Sequence, residues 1–269
     1  RRERRLTMAL LRRLSSAATR HLRMLAVAHG RHASAIRLRC TVAAAPEKIA
    51  HDIGASVVDE LERLEVLPWY RSLPLRLGGV FSDDNRQAAA ASDMYMHCDI
   101  QARDSQLFDP AAGGLDDRYY RRVQAKGLHC WMCYARLLQE PKELSHTIRK
   151  DMMEKLWEQV TLDLHQEQGM DFITLSKHLK EMQLGWHGFA RNMDSALASD
   201  EPKAALADVL LRNLYSETDE EGVTTSPPGA AAAALRTAGY VQAQLAHLRA
   251  IPTEEMLRAR VSWAPGAFL

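Results

Sequence analysis

In the segment 171–198, Leu175, Leu179, Met182, Trp186, Phe189 and Met193 return at alternating steps of four and three. That spacing stacks one apolar stripe along an α-helix and cannot be reconciled with the two-residue period of a strand. The stripe is a helix–helix packing seam, so the chain must supply partner helices to cover it. It does. Ile148, Met152, Leu156 and Val160, joined by Met153, Trp157 and Leu164, line one face of 145–168, and Ile49, Ile53, Val57, Leu61 and Leu64 do the same for 47–67. The segment 118–139 is the most apolar helix. Beyond the seam, Ser199 or Asp200 is expected to cap a helix with Pro202 in its first turn and Leu206, Val209, Leu210 and Leu214 on its buried side. A helix over 230–250 and a short one from Thr253 follow. The aromatic content of 6% and the abundance of residues that keep their rotamer freedom in helices fit the same answer. The expected fold class is all-α, a single compact multi-helix domain over about 47–265.

The connectors are read from breakers. Pro74, Gly78, Gly79 and the Asp83–Asp84 pair mark 69–85, with helix resuming at about Arg86 and running through Cys98, while Pro110, Gly113 and Gly114 mark 109–117. The acidic, then Thr- and Pro-rich 216–229 has no periodicity and reads as an exposed loop. No run of 18 apolar residues occurs.

A net charge of +1 conceals two unlike parts. Residues 1–40 hold eleven arginines and one acid, Glu3, and no Asp or Glu occurs from Met8 to Pro46, whereas the remainder of the chain carries a net −9. An Arg-rich, Ser-bearing, acid-free start is the pattern of an organelle transit peptide, and Met8 is the expected initiator. The alternative is a basic arm for nucleic acid or anionic lipid. The organisation expected is therefore 1–46 leader and basic extension, 47–87 N-terminal helix and connector, and 88–265 helical domain. Its acidic balance argues against direct nucleic-acid binding.

Chemical signatures are sparse. The chain has no GxGxxG, GxxxxGK[ST], GxSxG or HExxH. Cys130 and Cys133 have the spacing of half a zinc site, which His97, Cys98 or His129 could complete, but they sit within an apolar helix and not on the tight turns that zinc pairs favour. Packing thiols are the simpler state. Glu143 and His146 form half of a di-iron motif whose second half is missing. Four cysteines, Cys40 among them, are too few for a disulfide framework and fit a reducing compartment. No metal and no cofactor is expected.

The run Leu128-His129-Cys130-Trp131-Met132-Cys133-Tyr134-Ala135-Arg136-Leu137 resembles the LHxWMxxxRL helix of the ubiquinol–cytochrome c chaperone family. Further pieces follow in order: Ala91, Met94, Tyr95, Cys98 and Phe108 upstream, then Met153, Trp157 and Val160, then Phe189, Asp194, Leu197, Ser199 and Asp200. Leu206-Ala207, 210–215, Tyr240-Val241, Gln244-Leu245 and 261–265 complete the likeness over roughly 88–265. It departs from the pattern at 186–191 and in the insertion 217–229.

The resemblance implies a non-enzymatic assembly chaperone in the mitochondrion, on the matrix side of the inner membrane. Its expected partners are a small assembly-factor protein and nascent cytochrome b, with the mitochondrial ribosome as a further contact and peripheral contact with the inner membrane, in support of respiratory complex III. His129, Arg136, Arg212 and Asn213, polar residues within apolar family-like helices, are the candidates for partner or client binding. They could instead satisfy buried backbone groups or each other. Two other functions remain open on the residues alone: a stable structural subunit of a ribosome or respiratory complex that reuses the fold, and a helical metalloenzyme using Cys130 and Cys133.

Overall fold

The computed structural model describes residues 56–166, 169–218 and 224–268. The leader at 1–46, with Met8 and Cys40, and the beginning of the expected helix at 47–67 lie outside the described residues. Described residues form two compact units, one ending at Asp93 and the other beginning at Met94, so the boundary falls within a helix.

In the first unit, α1 (Val57–Glu65) starts with all four of its leading N–H groups paired. The Asp93 carboxylate accepts from Val57 N and Val58 N, both at 2.9 Å, and from Ser56 Oγ at 2.8 Å. Ser56 Oγ accepts from Asp59 N at 3.0 Å, and the Ser56 carbonyl from Glu60 N at 3.2 Å. Residues 69–77, expected as connector, are helical instead: α2 (Trp69–Leu77) follows Pro68, whose carbonyl accepts from Arg71 N and Ser72 N. Pro68 both ends one helix and opens the next, because its fixed φ suits a first turn. Likewise α3 (Asp83–Asp104) begins at the Asp83–Asp84 pair read as loop, since carboxylates favour the positive end of a helix dipole.

The second unit holds the rest of α3, a 3₁₀ turn at Gln106–Phe108, and α4 (Tyr119–Leu137), α5 (Lys142–Gln166), α6 (Phe172–Leu197), α7 (Pro202–Leu210), α8 (Ala230–Ala250) and α9 (Thr253–Leu257). Between the 3₁₀ turn and α4, a Cβ on Gly113 would lie 2.3 Å from the Leu107 backbone, so only glycine fits this turn. Helix α4 contacts α5, α6 and α8, while α7 packs between α6 and α8. Residues 127–133 of α4 are buried without interruption, which is how a helix that is apolar on all sides behaves.

The seam on α6 covers its helix unevenly. Leu175, Phe189 and Met193 are buried, whereas Leu179, Met182 and Trp186 are half-buried. Trp186 lies against α4, where a Cβ on Gly127 would come within 3.0 Å of its ring, and meets Trp157 of α5 edge to face at 6.3 Å.

Two local expectations are corrected. Residue Glu201, not Ser199 or Asp200, occupies the cap position of α7 and makes no side-chain cap bond. The 216–229 loop contains a small antiparallel ladder, β1 (Glu217–Thr218) with β2 (Thr224–Thr225), in the register Glu217↔Thr225 and Thr218↔Thr224. β-Branched threonine suits such pairing. Among the described residues no helix is long and apolar enough to cross a membrane.

Candidate functional site

The four residues singled out in the sequence fall into two environments. His129 and Arg136 stand two turns apart on α4 and are buried, at 0% and 5% exposure. His129 Nδ1 lies 2.8 Å from the Ala125 carbonyl and Nε2 lies 2.7 Å from the Tyr240 hydroxyl. The neutral ring with its proton on Nδ1 satisfies both, donating to the carbonyl and accepting from Tyr240. Tyr240 Oη in turn accepts from Gln101 Nε2 at 3.3 Å, so one chain of bonds joins α3, α8 and α4. Arg136 Nε donates to the Leu248 carbonyl at 3.0 Å and Nη2 to the Ile251 carbonyl at 2.9 Å, while Nη1 meets Glu140. Both side chains are buried within the second unit and bonded to its own backbone carbonyls.

Removal from water holds the His129 imidazole at about 4, down from 6.5. The unfolded chain then binds a proton that the folded chain refuses, so this residue contributes stability fully present above pH 6.5 and lost as pH falls toward 4. The effect amounts to on the order of 3 kcal/mol. Urea unfolding across that window should show a steep acid limb that His129→Gln flattens. An unchanged limb in the variant would assign the acid sensitivity to other groups.

Arg212 and Asn213 occupy a π-helical turn, Leu211–Tyr215, that continues α7. Arg212 is exposed, with Nε donating to the Asp208 carbonyl at 3.3 Å. Asn213 is half-buried, and its Nδ2 donates to the Val209 carbonyl at 2.7 Å. Two residues that the sequence did not single out hold the turn from α4. Arg121 Nη1 and Gln124 Nε2 donate to the Asn213 carbonyl at 3.1 and 2.7 Å, and Arg121 Nη2 donates to the Ser216 carbonyl at 2.9 Å. Burial pulls the Arg121 guanidinium below its ordinary range, with Asp116 opposing that pull. The Tyr215 hydroxyl donates to the Gly113 carbonyl at 2.7 Å and lies 2.6 Å from Thr237 Oγ1. A π turn widens the helix and displaces one residue from the regular register, a geometry found often at functional sites. Here it presents the Arg212 guanidinium, five donors on a rigid fork, from a tightly bonded base.

Cys98, Cys130 and Cys133 are buried free thiols, with Cys98 and Cys133 sulfurs 3.6 Å apart, and burial raises the Cys98 thiol well above its ordinary range. They pack as small apolar groups between α3 and α4. Among the described residues, no three His, Cys, Asp or Glu side chains are grouped to hold a metal ion. Glu143 and His146 are exposed at the start of α5.

The described fold defines an all-α protein whose buried helix α4 holds the exposed turn of Arg212 through Arg121 and Gln124. The chain belongs to the ubiquinol–cytochrome c chaperone family, whose sequence profile matches residues 111–263, more than half of its length. The fold is also similar to the crystal structure of the Cbp3 homolog from Brucella abortus, at a TM-score of 0.54 and 18% identity over 66% of this chain and 91% of that one. No curated protein matches the chain.

Proposed function

We propose that this protein is a non-enzymatic mitochondrial chaperone that receives newly made cytochrome b and supports assembly of respiratory complex III. The family match over residues 111–263 carries the reading. In it, residues 1–46 direct import, 88–265 form the working domain, and the protein acts on the matrix side, peripherally against the inner membrane. It works with a small partner protein, within reach of the mitochondrial ribosome. Arg212 and Asn213 are the contact candidates that survive burial, and they belong to a turn held by Arg121 and Gln124.

Deletion of the gene should deplete cytochrome b and complex III together. Wild type and Cys130→Ala should restore both, because a packing thiol is dispensable where a metal ligand is not. Arg212→Glu, whose side chain is exposed, should leave thermal unfolding unchanged and weaken capture of the small partner or of cytochrome b about tenfold. Normal complex III in the deletion strain would overturn the reading. Full loss of function in a folded Cys130→Ala protein would overturn it in favour of a metal site.

A further inference from the structure

Helix α2 is built inside out. Ser72 is buried at 3% exposure, whereas Trp69, Tyr70, Leu73 and Leu77 are 75%, 58%, 45% and 75% exposed. Trp69, Leu73 and Leu77 follow i, i+4 and i+8, and Tyr70 precedes Leu73 by three, so the four share one side of the helix. Val66, just upstream, is 86% exposed. Isolated apolar residues on a surface need no explanation, but a continuous face of Trp, Tyr and Leu marks a contact.

Charge identifies what that face meets. Residues 66–82 contain Arg71 and Arg76 and no acid, although Glu65 precedes them and Asp83 and Asp84 follow. Each guanidinium stands over an aromatic ring, Arg71 at 5.8 Å from Tyr70 and Arg76 at 5.7 Å from Phe81. Trp and Tyr prefer the zone between lipid headgroups and acyl chains, where an amphipathic ring is wet at one end only. Nine residues are too few to span a bilayer and enough to lie along one.

We propose that α2 docks in the plane of an anionic lipid surface, with Trp69, Tyr70, Leu73 and Leu77 entering the headgroup–acyl boundary and Arg71 and Arg76 meeting lipid phosphates. This rests on the reading above that the protein works against a membrane, and it names the segment that touches it.

The test uses the full chain and vesicles of equal parts phosphatidylcholine and phosphatidylglycerol, with bromine on the acyl chains. Flotation alone is not diagnostic, because the basic residues 1–46 are themselves drawn to anionic vesicles. The readout is contact quenching of tryptophan emission. Trp69 is 75% exposed, while Trp131, Trp157, Trp186 and Trp263 are buried or half-buried. Quenching is expected in the wild type and lost in Trp69→Phe, which keeps an apolar ring there. Leu73→Gln with Leu77→Gln should weaken the quenching isotherm at least about tenfold. Arg71→Gln and Arg76→Gln should each weaken it about fivefold, with no effect on pure phosphatidylcholine. Circular dichroism of each variant verifies the fold.

Vesicle binding without quenching overturns the proposal and assigns the contact to another segment. Self-association abolished by the leucine pair, again without quenching, overturns it in favour of a second copy on this face. Complex III assembly, scored beside these measurements, separates the two readings. Absent quenching with assembly that depends on the gene removes only the lipid site, whereas quenching with gene-independent assembly removes only the chaperone role.

Discussion

Arg136→Met should lower the unfolding free energy by about 3–5 kcal/mol, the range for removing one partner of a buried ion pair. Methionine keeps much of the aliphatic volume, so the loss isolates the guanidinium. Three groups would be left wanting. The Leu248 carbonyl, which also accepts from Ile251 N at 3.2 Å, and the Ile251 carbonyl just past α8 each lose the guanidinium donor. Glu140, whose side chain is 5% exposed, loses its cation and retains the Thr253 hydroxyl at 3.0 Å. The double variant with Glu140→Gln should recover part of the loss, since a neutral amide tolerates burial better than an unpaired carboxylate. Chemical unfolding of the two single variants and the double one measures this, and a loss below about 1 kcal/mol for Arg136→Met would mean the pair is no stronger than a surface one.

Trp131→Ala is expected to cost about 3–5 kcal/mol. Its indole is 1% exposed on α4 and Nε1 donates to Asp194 Oδ1 at 2.9 Å, tying the central helix to α6. Trp131→Phe retains most of the packing and deletes only that bond, leaving an exposed carboxylate that water can serve, so about 1 kcal/mol should be lost. Trp186→Ala should fall well short of Trp131→Ala, because Trp186 is only half-buried. Thermal unfolding of the three variants gives the order, and equal losses at 131 and 186 would show that exposure does not govern the cost here.

These contrasts mark what could be read from the chain alone. Helical period identified α5 and α6 because their apolar residues repeat over several turns, and the LHxWM run with the ordered pieces on either side of it pointed to the family. Period could not tell Trp131 from Trp186, since both lie on apolar stripes and depth is set by how many neighbours surround a helix. Breakers misled at 69–85, where a helix runs through Pro74 and the Asp83–Asp84 pair opens another. Arg136 and His129 were recognisable as polar residues out of place, yet their partners Leu248, Ile251 and Tyr240 lie over a hundred positions away. Arg121 and Gln124 gave no signal, because a side chain that bonds backbone carbonyls leaves no trace in residue type.

The separation between α4 and α8 also matters while the chain is being made. His129 and Tyr240 are 111 residues apart, so α4 leaves the ribosome long before α8 exists to cover it. Through that interval Leu128, Trp131 and Met132, all buried in the finished fold, have no α8 to shelter against. Apolar surface uncovered in this way is what draws nascent chains into aggregates. A protein proposed to shelter an unfinished client is thus, for the time needed to synthesise its own second half, an unfinished chain in need of shelter.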